Sequence, residues 1–404
     1  MIKVKNSYKK NLKRFISVLV SVLTGFSLLA ASACNKPKTI EDYPEPVVIT
    51  SAPATEDEGK EVSTAKEEEK EEKIDEVFLD EFDSLKERGK FEYNPTALHP
   101  VYKMEMKKNP KVVRVAKLIL QAVYDVEPTL VLDGDYECSD SEFDLARKLA
   151  GMSSPMIYCV EFDSEDKITY NITYFPTYST NEFLEVNVEG GISPEEAKAK
   201  FEDYEDLVTE IINNNLTDKD DNMQRAAKIY KALIEEFELD YESLKEEENT
   251  EEEEVPEEEH YFSNNSYLDV VNSKKISPWL FLDLYDFFMV QLNVRTIQVG
   301  ASGQYKPQTY AKMDEIVNNS RGWAWLVVYD GDNSYNCDII LDKIALDVQR
   351  ETFEGYESEL IYFGMSDKKR DESFKVYYEL VLQTLNPVGA QGLPKCENDY
   401  KLDL

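Results

Sequence analysis

Side chains able to move a proton near neutral pH are scarce in this chain. His99 and His260 are its only histidines, against 81 acidic and 45 basic residues. Five cysteines, Cys34, Cys138, Cys159, Cys337 and Cys396, show no zinc-ligand spacing. The residues that could do chemistry gather in two stretches. Ser277-Pro278-Trp279 opens one, and Arg321 to Asp342 (R-G-W-A-W-L-V-V-Y-D-G-D-N-S-Y-N-C-D-I-I-L-D) is the other. These stretches hold a hydroxyl, carboxylates and indoles but no imidazole, and an indole N–H only donates and has no basic lone pair. Cys337 precedes Asp338 on a strand pattern and is expected to face the other way. Trp279, Trp323 and Trp325 are all the tryptophan of the chain, and aromatic rings with a polar edge suit binding surfaces as well as cores.

The elements that must position these residues can be read from periodicity. Leu326 to Tyr329 alternate ahead of Asp330-Gly331-Asp332-Asn333, whose Asp-Gly supplies the positive φ of a tight hairpin, so strands are expected over 323–329 and 334–341. Ser277-Pro278 is a good cap and first-turn pair for an almost wholly apolar helix carrying Leu280, Phe281, Leu284, Tyr285, Phe287 and Phe288. A strand over Thr296–Val299 follows. Ser193-Pro194-Glu195-Glu196 is a capping box that starts a helix to about Asn214, and Thr217-x-x-Asp220 opens the next, through Ala226, Ile229, Tyr230, Leu233 and Ile234. Upstream, apolar positions predict a helix over 76–88 and another using Val112, Val115, Ile119 and Val123. A strand at Thr129–Leu132, a helix at Ser141–Ala150 and a hairpin follow them. Met156, Tyr158, Val160 and Phe162 alternate on one arm of that hairpin, Ile168, Tyr170, Ile172 and Tyr174 on the other. A last amphipathic helix is expected at about Glu372–Leu385.

In order, these parts resemble a bacterial transglutaminase-like domain, the papain-related core with a Cys-His-Asp triad. Ala227-Lys228-Ile229-Tyr230 is similar to the family's first helix, and Tyr267 to Lys274 to the run leading into its catalytic Cys. Ala324-Trp325, the Asp-Gly turn, Tyr335 and Asp338 match the second motif, and Tyr362-Phe363-Gly364-Met365-Ser366-Asp367 its closing segment. The resemblance spans roughly 193–370. It implies an α+β fold, with a papain-like core over 193–386 behind a small α+β amino-terminal domain over 76–192. It also implies that the triad is degenerate. The Cys position holds Ser277 or Pro278, depending on which anchor is counted from, and the His position holds Trp323; only Asp338 remains. No cofactor and no metal is expected. Trp279, Trp325 and Tyr335 are candidates to line a ligand cleft, the alternative being tryptophan that fills a vacated cleft as core.

Composition bounds the partners. The net charge is −36, and residues 1–33 carry six basic and no acidic side chains, leaving −42 on the remainder. So acidic a body repels phosphate backbones, which excludes nucleic acid and favours cationic or polycationic partners. Residues 1–33 read as a signal peptide with Ala31-Ser32-Ala33 before Cys34. Small residues ahead of a Cys resemble a bacterial lipobox, with Cys34 lipidated; simple cleavage and secretion is the competing reading. Residues 34–75, rich in Pro, Ser, Thr and Glu, suit a disordered acidic tether. In the acidic loop 242–259, ten of the fourteen residues from Glu246 to Glu259 are Glu, without the pattern of a Ca²⁺ loop. Residues 387–404 read as an irregular tail. The expected protein is a membrane-anchored, extracytoplasmic pseudoenzyme that binds a peptide or glycan or holds an assembly. The alternative is a cryptic hydrolase or acyltransferase with a non-standard constellation.

Overall fold

The structure, a computed structural model, describes residues 83–105, 109–174, 193–240, 270–271, 273–302, 305–307, 322–353, 355–376, 381–384 and 393–402. The expected signal segment, Cys34, the expected tether, residues 242–259 and His260 lie outside the described residues. The described chain is mixed α+β, and all of it belongs to one compact unit.

The amino-terminal elements are α1 (Ser84–Arg88), α2 (Pro100–Glu105), α3 (Pro110–Tyr124), β1 (Thr129–Val131), α4 (Asp140–Ser153), β2 (Val160–Asp163) and β3 (Thr169–Tyr174). The apolar stripe of α3 is buried from Val112 to Val123. The three strands form an antiparallel sheet in the order β1-β3-β2. One expectation is corrected here. Met156 and Tyr158 are not on a strand, because Pro155 starts a 3₁₀ turn over Pro155–Cys159 and the strand begins only at Val160. Proline presets the turn's φ and cannot donate to a ladder.

Next come α5 (Pro194–Asn215) and α6 (Asn222–Glu236). The capping box of α5 forms as expected, Ser193 accepting from the Glu196 N–H and Glu196 reaching back. The cap of α6 is Asp221 with Gln224, not Thr217 with Asp220. Thr217 instead donates to Asp220 one turn earlier, its N–H lying 2.7 Å from Oδ2. A short parallel pair, β4 (Glu238–Leu239) with β5 (Lys275–Ile276), leads to α7 (Pro278–Gln291). Strands β6 (Thr296–Ser302), β7 (Tyr305–Pro307), β8 (Gly322–Asp330) and β9 (Asn333–Cys337) follow. The chain then forms α8 (Ile339–Thr352), α9 (Asp367–Ser373), β10 (Phe374–Val376) and β11 (Val381–Thr384).

The central sheet is antiparallel in the order β11-β6-β8-β9, and α7 packs against β8, α6 and α8. Two further expectations are corrected. The strand expected over 334–341 stops at Cys337, and the chain turns at Asp338 into α8 because that side chain caps the helix. The helix expected at 372–385 is instead the end of α9, followed by β10 and β11. Phe374, Val376, Val381 and Thr384 are β-branched or aromatic, and the edges of β7 and β6 stand ready to pair with them. Residues on both sides of the 192/193 boundary meet in the same core. The Phe91 N–H donates to Asn213 at 2.8 Å and the Gln291 amide to the Asn94 carbonyl at 3.0 Å.

Candidate functional site

The hairpin β8–β9 sets the geometry. Its register pairs Leu326 with Cys337 and Val327 with Asn336, closed by Gly331 at φ +58°. On β8, Trp323 and Trp325 share a face by strand alternation. Across from them Asn336 and Asp338 stand two residues apart. Each indole reaches one of them: Trp325 Nε1 donates to Asn336 Oδ1 at 2.8 Å, and Trp323 Nε1 to Asp338 Oδ2 at 2.6 Å.

Asp338 is consumed on every side. Its Oδ1 accepts the Leu341 N–H at 3.0 Å as the cap of α8, and its own N–H donates to the Tyr362 carbonyl at 2.9 Å. Tyr230 Oη lies 2.7 Å from the Asp338 carbonyl and 2.5 Å from Asp342 Oδ2. Asp342 also accepts the Tyr362 N–H at 3.0 Å. Asp338 and Asp342 thus sit one helical turn apart, both buried. Burial, joined by the charge of neighbouring Asp342, raises Asp338 from 3.8 to about 7 against the opposing Trp323 and Leu341 N–H groups. Burial likewise raises Asp342 to about 7, against the hydrogen bond from Tyr230. Asp338 is basic enough to take a proton near neutrality, but it is 1% exposed and both its oxygens are occupied.

The other expected site residues divide between capping and core. Ser277 caps α7, its Oγ accepting the Leu280 N–H at 3.4 Å, and Pro278 is the first residue of that helix. Trp279 occupies the next position, and its side chain lies outside what is described. Trp323 is 3% exposed and Trp325 1%, so neither indole lines an open cleft. Under Trp325 sits Arg370, its guanidinium 5.2 Å from the ring and 3.2 Å from Asn336 Oδ1. Tyr335, 9% exposed, packs edge-on against Tyr400 with centroids 5.4 Å apart. As ligand-cleft candidates, Trp325 and Tyr335 are corrected: the carboxy-terminal helix and segment cover them. Cys337 is buried, its thiol pushed far up by burial and accepting the Gly364 N–H at 3.4 Å, so it is no nucleophile.

Sequence reasoning missed Asp342, Asn336 and Arg370. Asp342 carried a signal, standing four residues after Asp338, but that spacing has meaning only on a helix, and the stretch read as strand. The closing segment around Tyr362 gained its role from the fold, with backbone groups that bind Asp338 and Asp342. Among the described residues no group of His, Cys, Asp and Glu could hold a metal ion. Compared with protein-family models and with characterised proteins, the chain matches none.

Proposed function

We propose that the protein is a non-catalytic, transglutaminase-like module, held through lipidated Cys34 at the extracytoplasmic face of the cell membrane. There it would bind a peptide or glycan or hold an assembly together. The observation that carries this reading is the hydrogen bond between Trp323 and Asp338. Where the resemblance expects an imidazole that shuttles protons, an indole fills the space and ties down the remaining acid. Acyl transfer needs a base free to take a proton from the nucleophile and return it to the leaving group. The Asp338 carboxylate has the basicity and lacks the freedom, and Ser277 accepts a helix N–H. The lipid-anchor part rests on the residues around Cys34. No described helix is long and apolar enough to cross a membrane.

The test is a turnover assay of the full chain with glutamine peptides plus an amine donor, and with peptide substrates alone. We expect no product, and no labelling at 277 or 278 by active-site electrophiles. Turnover that disappears in Ser277→Ala or His260→Ala would overturn the reading. For the anchor, the mature amino terminus should carry a lipid mass on Cys34, and Cys34→Ala should move the protein off the membrane; an unmodified Cys34 terminus sinks that part.

A further inference from the structure

We infer that the carboxy-terminal segment 393–402 is an internal peptide ligand, a strap seated on a preformed peptide-binding face built from β9 and residues 363–367. The inference sharpens the binding half of the proposed function, and its test involves no turnover.

The strap docks as a bound peptide docks, mainly through backbone. Its Cys396 carbonyl accepts the Asp367 N–H at 2.8 Å while the Cys396 N–H donates to Asp367 Oδ2 at 3.1 Å. Ser334 Oγ donates to the Lys395 carbonyl at 3.1 Å. Farther along, the Ser366 N–H donates to Asp399 Oδ1 at 2.8 Å, and the Tyr400 N–H to the Gly364 carbonyl at 2.7 Å. One ring anchors it. Tyr400 packs edge-on against both Tyr335 and Phe363, with centroids at 5.4 and 6.3 Å. Gly364 makes the seat: at φ +69°, a Cβ there would stand 2.7 Å from the Tyr400 Cβ. Between these contacts Lys395, Glu397, Asn398, Asp399 and Lys401 remain exposed. Cys396 alone is fully buried.

The face beneath is organised without the strap. Asn336 Nδ2 donates to Asp367 Oδ1 at 3.1 Å and to the Met365 carbonyl at 3.2 Å. Arg370 Nη1 donates to the same Asp367 oxygen at 3.0 Å and to Asn336, which Trp325 also holds. The other Asp367 oxygen is the one offered to the strap. Asn336 and Met365 bridge backbone to backbone. Asp367, the group that meets Cys396 of the strap, is thus fixed by the body of the protein, and preorganisation of this kind lowers the entropic loss on binding. A short segment held mainly through its backbone, with Cys396 buried and Tyr400 and Leu402 half-buried, can open without global unfolding. What the open face fits is a short segment in which an Asp carboxylate meets the Ser366 N–H and the next residue is aromatic, as in Asp399-Tyr400.

The experiment uses the full chain and alkylation by iodoacetamide, resolved by cysteine with mass spectrometry, because strap docking is what buries Cys396 while Cys337 lies in the sheet. In Tyr400→Ala, Cys396 should be alkylated at least tenfold faster, with Cys337 still protected. Added in trans, a synthetic peptide of residues 393–404 carrying Cys396→Ser should raise Cys396 alkylation of the wild-type chain several-fold and saturably. The same peptide with Tyr400→Ala should not. If Tyr400→Ala exposes Cys337 and Cys396 together, the segment is ordinary core; if the peptide leaves Cys396 alkylation unchanged, the face is not a peptide site. Either result overturns the inference.

Discussion

Two buried polar clusters stand at opposite ends of the β6–β8 pair, where Trp323 faces Ala301 and Thr296 faces Val328. The first is Trp323, Asp338, Asp342 and Tyr230. The second is His99, Asp286 and Thr296: the imidazole Nε2 lies 3.5 Å from Asp286 Oδ1 and 3.4 Å from Thr296 Oγ1, and Thr296 donates to Asp286 at 2.5 Å. By inventory the second is the better catalyst, with hydroxyl, imidazole and carboxylate in mutual reach. Yet His99 and Thr296 are wholly buried, and the His99 backbone is held by Ser153 at 2.9 Å. This cluster ties the amino-terminal elements to α7 and β6. The cluster at Asp338, with no base but Asp itself, occupies the place the motifs pointed to. Residue types therefore do not identify chemistry unless a face stays open to a substrate, and at both clusters the polar groups are buried.

The largest effect should come from removing the bolt at Trp323. Trp323→Ala leaves a cavity and takes the donor from buried Asp338, and should destabilise the fold by about 3–5 kcal/mol in urea unfolding. A loss under about 1 kcal/mol would mean that the indole neither fills the core nor holds Asp338, and would break the contrast between the clusters.

Acidity should separate the clusters next. Asp338 and Asp342 titrate near 3.8 when unfolded and at about 7 when folded. A raised folded pKa means that the native state holds the proton more tightly. The stability this lends is complete below the unfolded value and is lost as pH rises through the folded one. Wild-type protein should therefore be more stable at about pH 5 than at about pH 8, by on the order of a few kcal/mol for the pair. Asp338→Asn with Asp342→Asn should flatten that fall, since Asn also caps helices well. An equally steep fall in the double variant would assign it to self-repulsion of the acidic surface.

Much of the scaffold was legible in the sequence where local chemistry decides local structure. Ser193 to Glu196, Ser277-Pro278 and the Asp-Gly turn each specify a start or a reversal within four residues, and each stands in the structure. What was illegible depended on tertiary partners. Ile339, Ile340 and Leu341 have strand-like side chains, but Asp338 before them caps a helix. Phe374 to Thr384 has apolar residues spaced for either structure, and the free edges of β7 and β6 decide for strand. At the site, the loss of imidazole was plain from Trp323, while the burial of Asp338 was not, because Tyr230 and Tyr362 are remote in sequence.

A smaller effect belongs to the His99 cluster. Thr296→Val keeps the shape and removes the donor to Asp286, so it should destabilise by about 1–3 kcal/mol. In hydrogen exchange, protection should fall over α2 and α7 and hold over β8 and α8. Protection lost equally around Asp338 would show the two clusters to be one cooperative unit.

The smallest expected effect separates capping from catalysis at Ser277. Its Oγ accepts the Leu280 N–H at the start of α7, so Ser277→Ala should destabilise by roughly 1 kcal/mol, as loss of an N-cap does elsewhere. Ser277→Asp preserves an acceptor and adds a charge that suits a helix N-terminus, so it should recover most of that loss. A nucleophile would behave in the opposite way: stability would hardly register the change, and neither Ala nor Asp could support acyl transfer. Measuring urea midpoints for the two variants beside peptide turnover distinguishes the roles. Rescue of stability by Asp fits a cap, and an activity lost in both variants alike fits a nucleophile. Ser277 lies 8% exposed at the end of an apolar helix, and the stability readout is where its substitution should register.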